Sequence, residues 1–477
     1  MLWPSAASHD VTIGTGSTSY GRPPCRTSAN TGVALCRMAA RFGCYGTGWL
    51  HNIGRTAKTG ELMRTNTDMN SDKPPLAGIR VLDLSRILAG PWASTLLSDL
   101  GADVIKVERP ESGDDTRSWG PPFVTDNDGR ETRESAYFMF VNRAKRSLTV
   151  DIKTPGGQAI IRKLAAESDI VLENYKVGTL SRLGLGYEDL RRINPGLIYC
   201  SITGFGQDGP RSAQAAYDFA IQAMGGLMSV TGERDGMPGA GPQKVGVPIV
   251  DLTTGLYAVV AVLASLNRRT ASGVGDYIDL AMLDVQVSML ANQAMNYFVS
   301  GAVPRRTGNA HPNIQPQDVY ACSDGDLALA VGNDAQFAAL CRVIGEAHLA
   351  TDERFRRNRD RVSNRADLDP IIVGRLARQT RQYWADRLDQ AGVPCAPINA
   401  IDEVFADRQV VHRNMKLELT HAEIGSVPAV ASPMRFTHAP LDIRAAGPVL
   451  GQHTDEVLQE IGYSADEIIA LRASSAI

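Results

Sequence analysis

The run Pro248-Ile249-Val250-Asp251-Leu252-Thr253-Thr254-Gly255 puts a carboxylate where an extended apolar stretch gives way to a helical pattern, Leu252 to Leu266. Two chemistries fit that position. Asp is among the best helix N-cap residues, and on spacing alone the cap reading leads. The other reading is a reagent: a carboxylate side chain can act as a nucleophile and form a covalent intermediate. Three cations also stand at ends of extended runs. Arg109 closes one such run, Lys153 follows another, and Arg182 follows Asn174-Tyr175. Open α/β sheets bind ligands at strand ends, and cations there suit phosphate groups. Taken singly, each is more often a solvated charge or a surface ion pair.

Other motifs carry less. Gly204-Phe205-Gly206-Gln207-Asp208-Gly209 matches G-x-G-x-x-G after a strand, but Pro210 follows directly and Arg211 to Ala216 lack a helical face. A glycine-rich turn is favoured over a nicotinamide site. G-x-S-x-G, Walker A and H-E-x-x-H are missing from the sequence, so serine hydrolase, nucleotide triphosphatase and zincin readings have no support. The eight histidines are scattered with none at metal spacing, and His311 and His453 read as satisfied polar residues. No metal and no resident cofactor are expected.

Composition bounds the class. A chain of 477 residues suggests two or three domains. A net charge of −3 argues against a phosphate-backbone binder, which would carry a basic excess. No stretch is expected to reach the roughly 18 uncharged apolar residues of a membrane span. The best candidate, Thr253 to Leu266, is short and ends in Asn267-Arg268-Arg269. Seven cysteines without a C-x-x-C pair read as reduced thiols. A cytoplasmic enzyme is expected, or one of the mitochondrial matrix if the source is eukaryotic.

The elements that must position these groups read as follows. Residues 1–73 show no helix or strand period and few acids, and are expected to form a flexible extension. From Pro74 onward strand and helix patterns alternate. Arg80–Leu84, Val104–Glu108, Leu148–Ile152, Ile170–Tyr175 and Leu197–Thr203 read as strands; Trp92–Leu100, Gln158–Ser168 and Tyr187–Ile193 read as helices. That alternation predicts an α/β fold around a parallel sheet. After Arg269 the regularity fades, and Asp326–Val331 with Phe337–Ile344 restart a strand and helix. A large doubly wound domain is expected over 74–283 plus 401–477, and a smaller α/β domain over 308–375. Residues 284–307 and 376–400 are expected as linkers.

Gly78-Ile79-Arg80-Val81-Leu82-Asp83-Leu84-Ser85, then Ala89-Gly90-Pro91, then Asp103-Val104-Ile105-Lys106-Val107-Glu108-Arg109-Pro110, with Asp251 downstream, resemble the class III CoA-transferases, or CaiB/BaiF family. The resemblance runs from about Pro74 to Leu471. It implies that Asp251 is the nucleophile that carries CoA. It assigns CoA contacts to Ile87, Ala89, Arg109, Val150, Lys153, Asn174, Tyr175, Arg182 and Leu183. It places Leu88, Trp119, Tyr137, Tyr217 and Asp218 around the acyl group. For Trp119, Tyr137 and Asp218 an ordinary aromatic core and a helix cap remain equal alternatives. Leu88 stands where oxalate-using members carry a glutamine, and Arg305 to Asp318 lacks their glycine-tetrad loop. With Asp114-Asp115-Thr116-Arg117-Ser118-Trp119-Gly120-Pro121-Pro122, this points to glutarate-using members. The resemblance thus implies CoA transfer from an acyl-CoA, succinyl-CoA by analogy, to a dicarboxylate through an aspartyl-CoA thioester. It also implies an interlocked homodimer, with no nucleic-acid or membrane partner. One alternative is an α-methylacyl-CoA racemase, although those enzymes place His before Asp where this chain has Tyr217-Asp218. Another is a non-catalytic CoA-binding protein.

Overall fold

The computed structural model describes residues 73–126 and 128–477. The expected extension therefore lies outside the described residues except for Lys73. Six parallel strands form the central sheet: β1 (Arg80–Asp83), β2 (Asp103–Glu108), β3 (Arg146–Thr149), β4 (Ile170–Glu173), β5 (Ile198–Thr203) and β6 (Asp276–Ala281). Their order across the sheet is β3-β2-β1-β4-β5-β6, every neighbour parallel. The order turns back at β1 and β4, which opens a crevice at the carboxyl ends of these strands.

Alternate residues of each strand face opposite cores. Val81, Val104, Leu172 and Cys200 pack with helices α1 (Ala89–Asp99) and α5 (Ile249–Ser272). Leu82, Ile105, Val171 and Tyr199 pack with α2 (Pro155–Ala166) and α3 (Tyr187–Ile193) on the other face. Burial on both faces explains the near-continuous apolar runs of β1, β2 and β4. The second face is completed from far along the chain. Val457 and Leu458 of α6 (Thr454–Glu460) and Ile468 of α7 (Ala465–Ala473) join the same core. The Asp151 N–H donates to the carbonyl of buried Ala476. Thr454 is the first residue of α6, and its hydroxyl accepts the Thr149 N–H on the open edge of β3.

Other expectations change. The β6 strand lies where regularity fades in the sequence; as an edge strand it is mostly half-buried, so its polar and apolar residues mix. The extended stretch expected before Asp251 is already helix, since α5 starts at Ile249 and runs past Arg269 to Ser272. At 24 residues α5 is long and apolar enough to cross a membrane, contrary to the estimate from Thr253–Leu266. It nevertheless buries Val250, Ala258, Val259 and Val262 in the sheet core. Gly255 makes its close approach to α1 possible, because a Cβ there would lie 2.9 Å from the Ala89 carbonyl oxygen and 2.8 Å from Trp92. Finally, 376–400 is not plain linker. Helix Arg381–Gln390 and strand β9 (Cys395–Pro397) build onto an antiparallel sheet ordered β9-β8-β7, with β7 at Gln317–Cys322 and β8 at Gly325–Ala330. Residues 284–307 likewise include helix Ala291–Ser300.

Candidate active site

The β1–α1 loop and the segment after β4 meet at the crevice. Asn174 ties them: its side-chain oxygen accepts the Arg86 N–H at 2.8 Å and its amide donates to the Arg86 carbonyl at 2.7 Å. Two cavities adjoin there. A cleft of 610 Å³ is lined by Arg86, Arg109, Val150, Lys153, Tyr175, Arg182 and Leu183. A narrower cavity of 200 Å³ is lined by Arg86, Ile87, Leu88, Ala89, Asn174, Tyr175, Tyr217 and Asp251. Arg86 and Tyr175 belong to both, with the guanidinium 5.4 Å from the ring centre. The nine residues assigned to CoA thus line one cavity or the other. The wider one gathers the cations, and the narrower one leads to the carboxylate.

Asp251 lies in the first turn of α5, after Pro248 at the N-cap position, which offers no side-chain cap. The cap comes from elsewhere. Asp218, buried at the start of α4 (Asp218–Met224), accepts the Val250 N–H at 2.7 Å and the Asp251 N–H at 3.3 Å with one oxygen. Its other oxygen accepts from Gln222 at 2.5 Å. Asp251 itself receives no side-chain hydrogen bond among the described residues, so the cap reading belongs to Asp218. Burial, and then the neighbouring Asp218 charge, push the Asp251 carboxyl up to about 7. A carboxylate near that value is a stronger nucleophile than an ordinary one but must lose its proton to act. Turnover is therefore expected to rise between pH 5 and 8 with a midpoint near 7, as the ionised fraction grows. A flat profile over that range, measured with saturating acyl donor, would show that burial is not felt at Asp251.

Trp119, Tyr137 and Asp218 line neither cavity. Trp119 and Tyr137 pack edge to face at 5.1 Å. Tyr137 still faces the carboxylates: burial, then Asp251 and Asp218, push its hydroxyl up to about 12. Tyr217 is well exposed at the lip of the narrow cavity. The turn Gly204–Gly209 follows β5, and no helix starts before Asp218, so it lacks the helix N-terminus that a dinucleotide pyrophosphate needs. Sequence reasoning missed Arg86 and Asp115. Asp115 pairs with Arg86 at 3.0 Å and with Arg109 at 2.7 Å, holding both cations at the cleft. The available signal was position: Arg86 directly precedes the assigned Ile87, and Asp115 lies inside a quoted motif.

The family model for CoA-transferase family III matches residues 76–454. The succinate–glutarate CoA-transferase of Agrobacterium fabrum is 49% identical over 83% of this chain and 98% of its own length. The succinyl-CoA:glutarate CoA-transferase of Mus musculus is 43% identical, over 86% of this chain and 90% of its own. The crystal structure of a CAIB/BAIF family protein from Brucella suis matches with a TM-score of 0.71 and 47% identity, covering 82% of this chain and 100% of that one.

Proposed function

The chain belongs to CoA-transferase family III, and we propose that it moves CoA from succinyl-CoA to a dicarboxylate such as glutarate, with Asp251 as the carrier. The observation that carries this reading is the Asp251 side chain, without a hydrogen bond among the described residues, in a cavity that shares Arg86 and Tyr175 with a cation-lined cleft. The cleft suits the phosphates of CoA, and the narrow cavity suits its thioester arm.

A balanced sequence follows. An Asp251 oxygen attacks the thioester carbonyl, the C–S bond breaks, and an aspartyl–acyl anhydride forms with CoA thiolate. The thiolate attacks the aspartyl carbonyl, releasing the donor acid and leaving CoA on Asp251 as a thioester. The acceptor carboxylate attacks that thioester, forming a second anhydride and thiolate. The thiolate then takes the acceptor acyl group and frees Asp251. Water must be kept out while the thioester stands, and the half-buried position of Asp251 serves that end.

The names of the relatives support the substrate pair, and Leu88 in the narrow cavity keeps an apolar side chain near the acyl group. Incubation with succinyl-CoA and glutarate should yield glutaryl-CoA and succinate. A monocarboxylate acceptor with the higher kcat/KM would overturn the dicarboxylate assignment. The racemase alternative needs a second proton carrier, and this chain has Tyr217 before Asp218 where those enzymes place a His. Rapid deuterium uptake into a 2-methylacyl-CoA without an acceptor acid would favour it instead. We also infer a homodimer. Met295, Tyr297, Phe298, Val299 and Val303 stand exposed on and after helix Ala291–Ser300, the kind of apolar surface that marks association. A monomer in light scattering at micromolar concentration would overturn it.

A further inference from the structure

Ile87 has a φ of 73°. A β-branched residue in the left-handed region is strained and persists only where its surroundings hold it. The neighbours do so residue by residue. Lys106 Nζ donates to the Ser85 carbonyl at 3.1 Å. Asn174 takes both backbone groups of Arg86. The Ile87 N–H points at the Asp114 carboxylate, 3.3 Å from each oxygen. Asp114 has little freedom to move. Its side chain is fully buried, 2.8 Å from the equally buried Lys106 ammonium, and it also accepts from the Thr116 N–H and hydroxyl at 2.9 and 2.7 Å. Its own N–H donates to Glu108 at 2.9 Å. Burial alone would raise the Asp114 carboxyl, but Lys106 outweighs it and holds the group down at about 2, so it stays an ionised acceptor.

We propose that Asp114 is a positioning residue for the acyl-CoA site: by holding the Ile87 N–H it fixes the left-handed turn that delivers Ile87, Leu88 and Ala89 to the wall of the cavity containing Asp251. The role rests on the CoA-transfer reading. Its side chain has no exposed surface, so it acts through Ile87. If Ile87 relaxed to a negative φ, the backbone leading into α1 would turn away. Leu88 and Ala89 would then leave a cavity only 200 Å³ in size.

The test separates holding the turn from merely filling the core. Ile87→Gly keeps the N–H and adopts positive φ without strain. Ile87→Pro removes the N–H and locks φ near −65°. Neither change touches the Lys106–Asp114 pair. With the full chain, Ile87→Gly loses the side chain from the cavity wall but keeps the turn, and KM for the acyl donor should be at least tenfold higher in the Ile87→Pro variant than in the Ile87→Gly variant. Asp114→Asn should raise the same KM about tenfold with Ile87 present. Added to Ile87→Gly it should raise KM about threefold or less over Ile87→Gly alone, because glycine needs no holding. Equal effects of Ile87→Pro and Ile87→Gly would overturn the role even if Asp114→Asn did not fold, as would an Asp114→Asn penalty equal in both backgrounds. A wild-type chain that exchanges no CoA would overturn the functional reading and this role with it; an active wild type with the wrong pattern would overturn the role alone.

Discussion

Replacing Asp251 with asparagine should lower CoA exchange by roughly 10³ or more, a barrier increase above ~4 kcal/mol, while leaving the fold intact. The amide cannot form the anhydride, so no alternative chemistry opens at that position. The cost to stability should be small because the side chain makes no hydrogen bond among the described residues and Asp218 retains the two N–H groups it caps. A gain is expected at alkaline pH. Asp251 is raised from 3.8 to about 7 in the folded chain, so its ionisation destabilises the native state above about 7. That cost fades as pH falls through 7 and vanishes below the unfolded value. The asparagine variant should thus melt higher than wild type at pH 8 and lose this advantage toward pH 4. Wild type mixed with succinyl-CoA alone should gain the mass of CoA on the peptide that contains Asp251, and hydroxylamine should convert it to a hydroxamate. An active Asp251→Asn enzyme, or CoA on another carboxylate, would end the proposed mechanism.

Arg117→Met should have the largest effect on stability, a loss of about 3–5 kcal/mol in denaturant unfolding at pH 7. The Arg117 guanidinium grips Glu108 through two hydrogen bonds of 2.8 Å, meets Glu134 at 3.0 Å and donates to the Pro448 carbonyl at 3.0 Å. It also lies 3.6 Å from the centre of the Phe138 ring. Burial raises Glu108, and Arg117 with Lys106 outweighs that to hold it below the usual range; burial already raises Glu134. Methionine would fill the space and leave these two acids facing each other inside the protein. Both would then bind protons more readily when folded than when unfolded, so the loss should shrink as pH falls. A loss under ~1 kcal/mol at pH 7 would mean that solvent reaches the pair.

Much of the sheet was legible because β1, β2 and β4 are buried on both faces and flanked by well-spaced helices. Asp251 was legible as a candidate by type and position, but the freedom of its side chain was not. Whether Asp251 caps its own helix depends on Asp218, which is distant in sequence and reaches it only because α4 packs beside α5. Edge strand β6 was missed for want of a clean pattern. The role of Asp114 was not legible because the Ile87 N–H and the Lys106 ammonium reach it only through folding, and a left-handed isoleucine leaves no mark in composition. The cations failed as isolated signals for a related reason: an arginine at a strand end looks the same in solvent as in a phosphate cleft.

The second face of the central sheet is covered by helices that emerge from the ribosome long after the strands they protect. Between the last residue of β6 and Thr454, synthesis at ~5–20 residues per second leaves Leu82, Ile105 and Val171 without their C-terminal cover for roughly 10–35 s. The nascent sheet is thus a natural client for a holding chaperone. Ser475 lines the cation-bearing cleft, so that cleft is complete only when the last residues are made. An affinity tag joined after Ile477 would start two residues from that cleft wall.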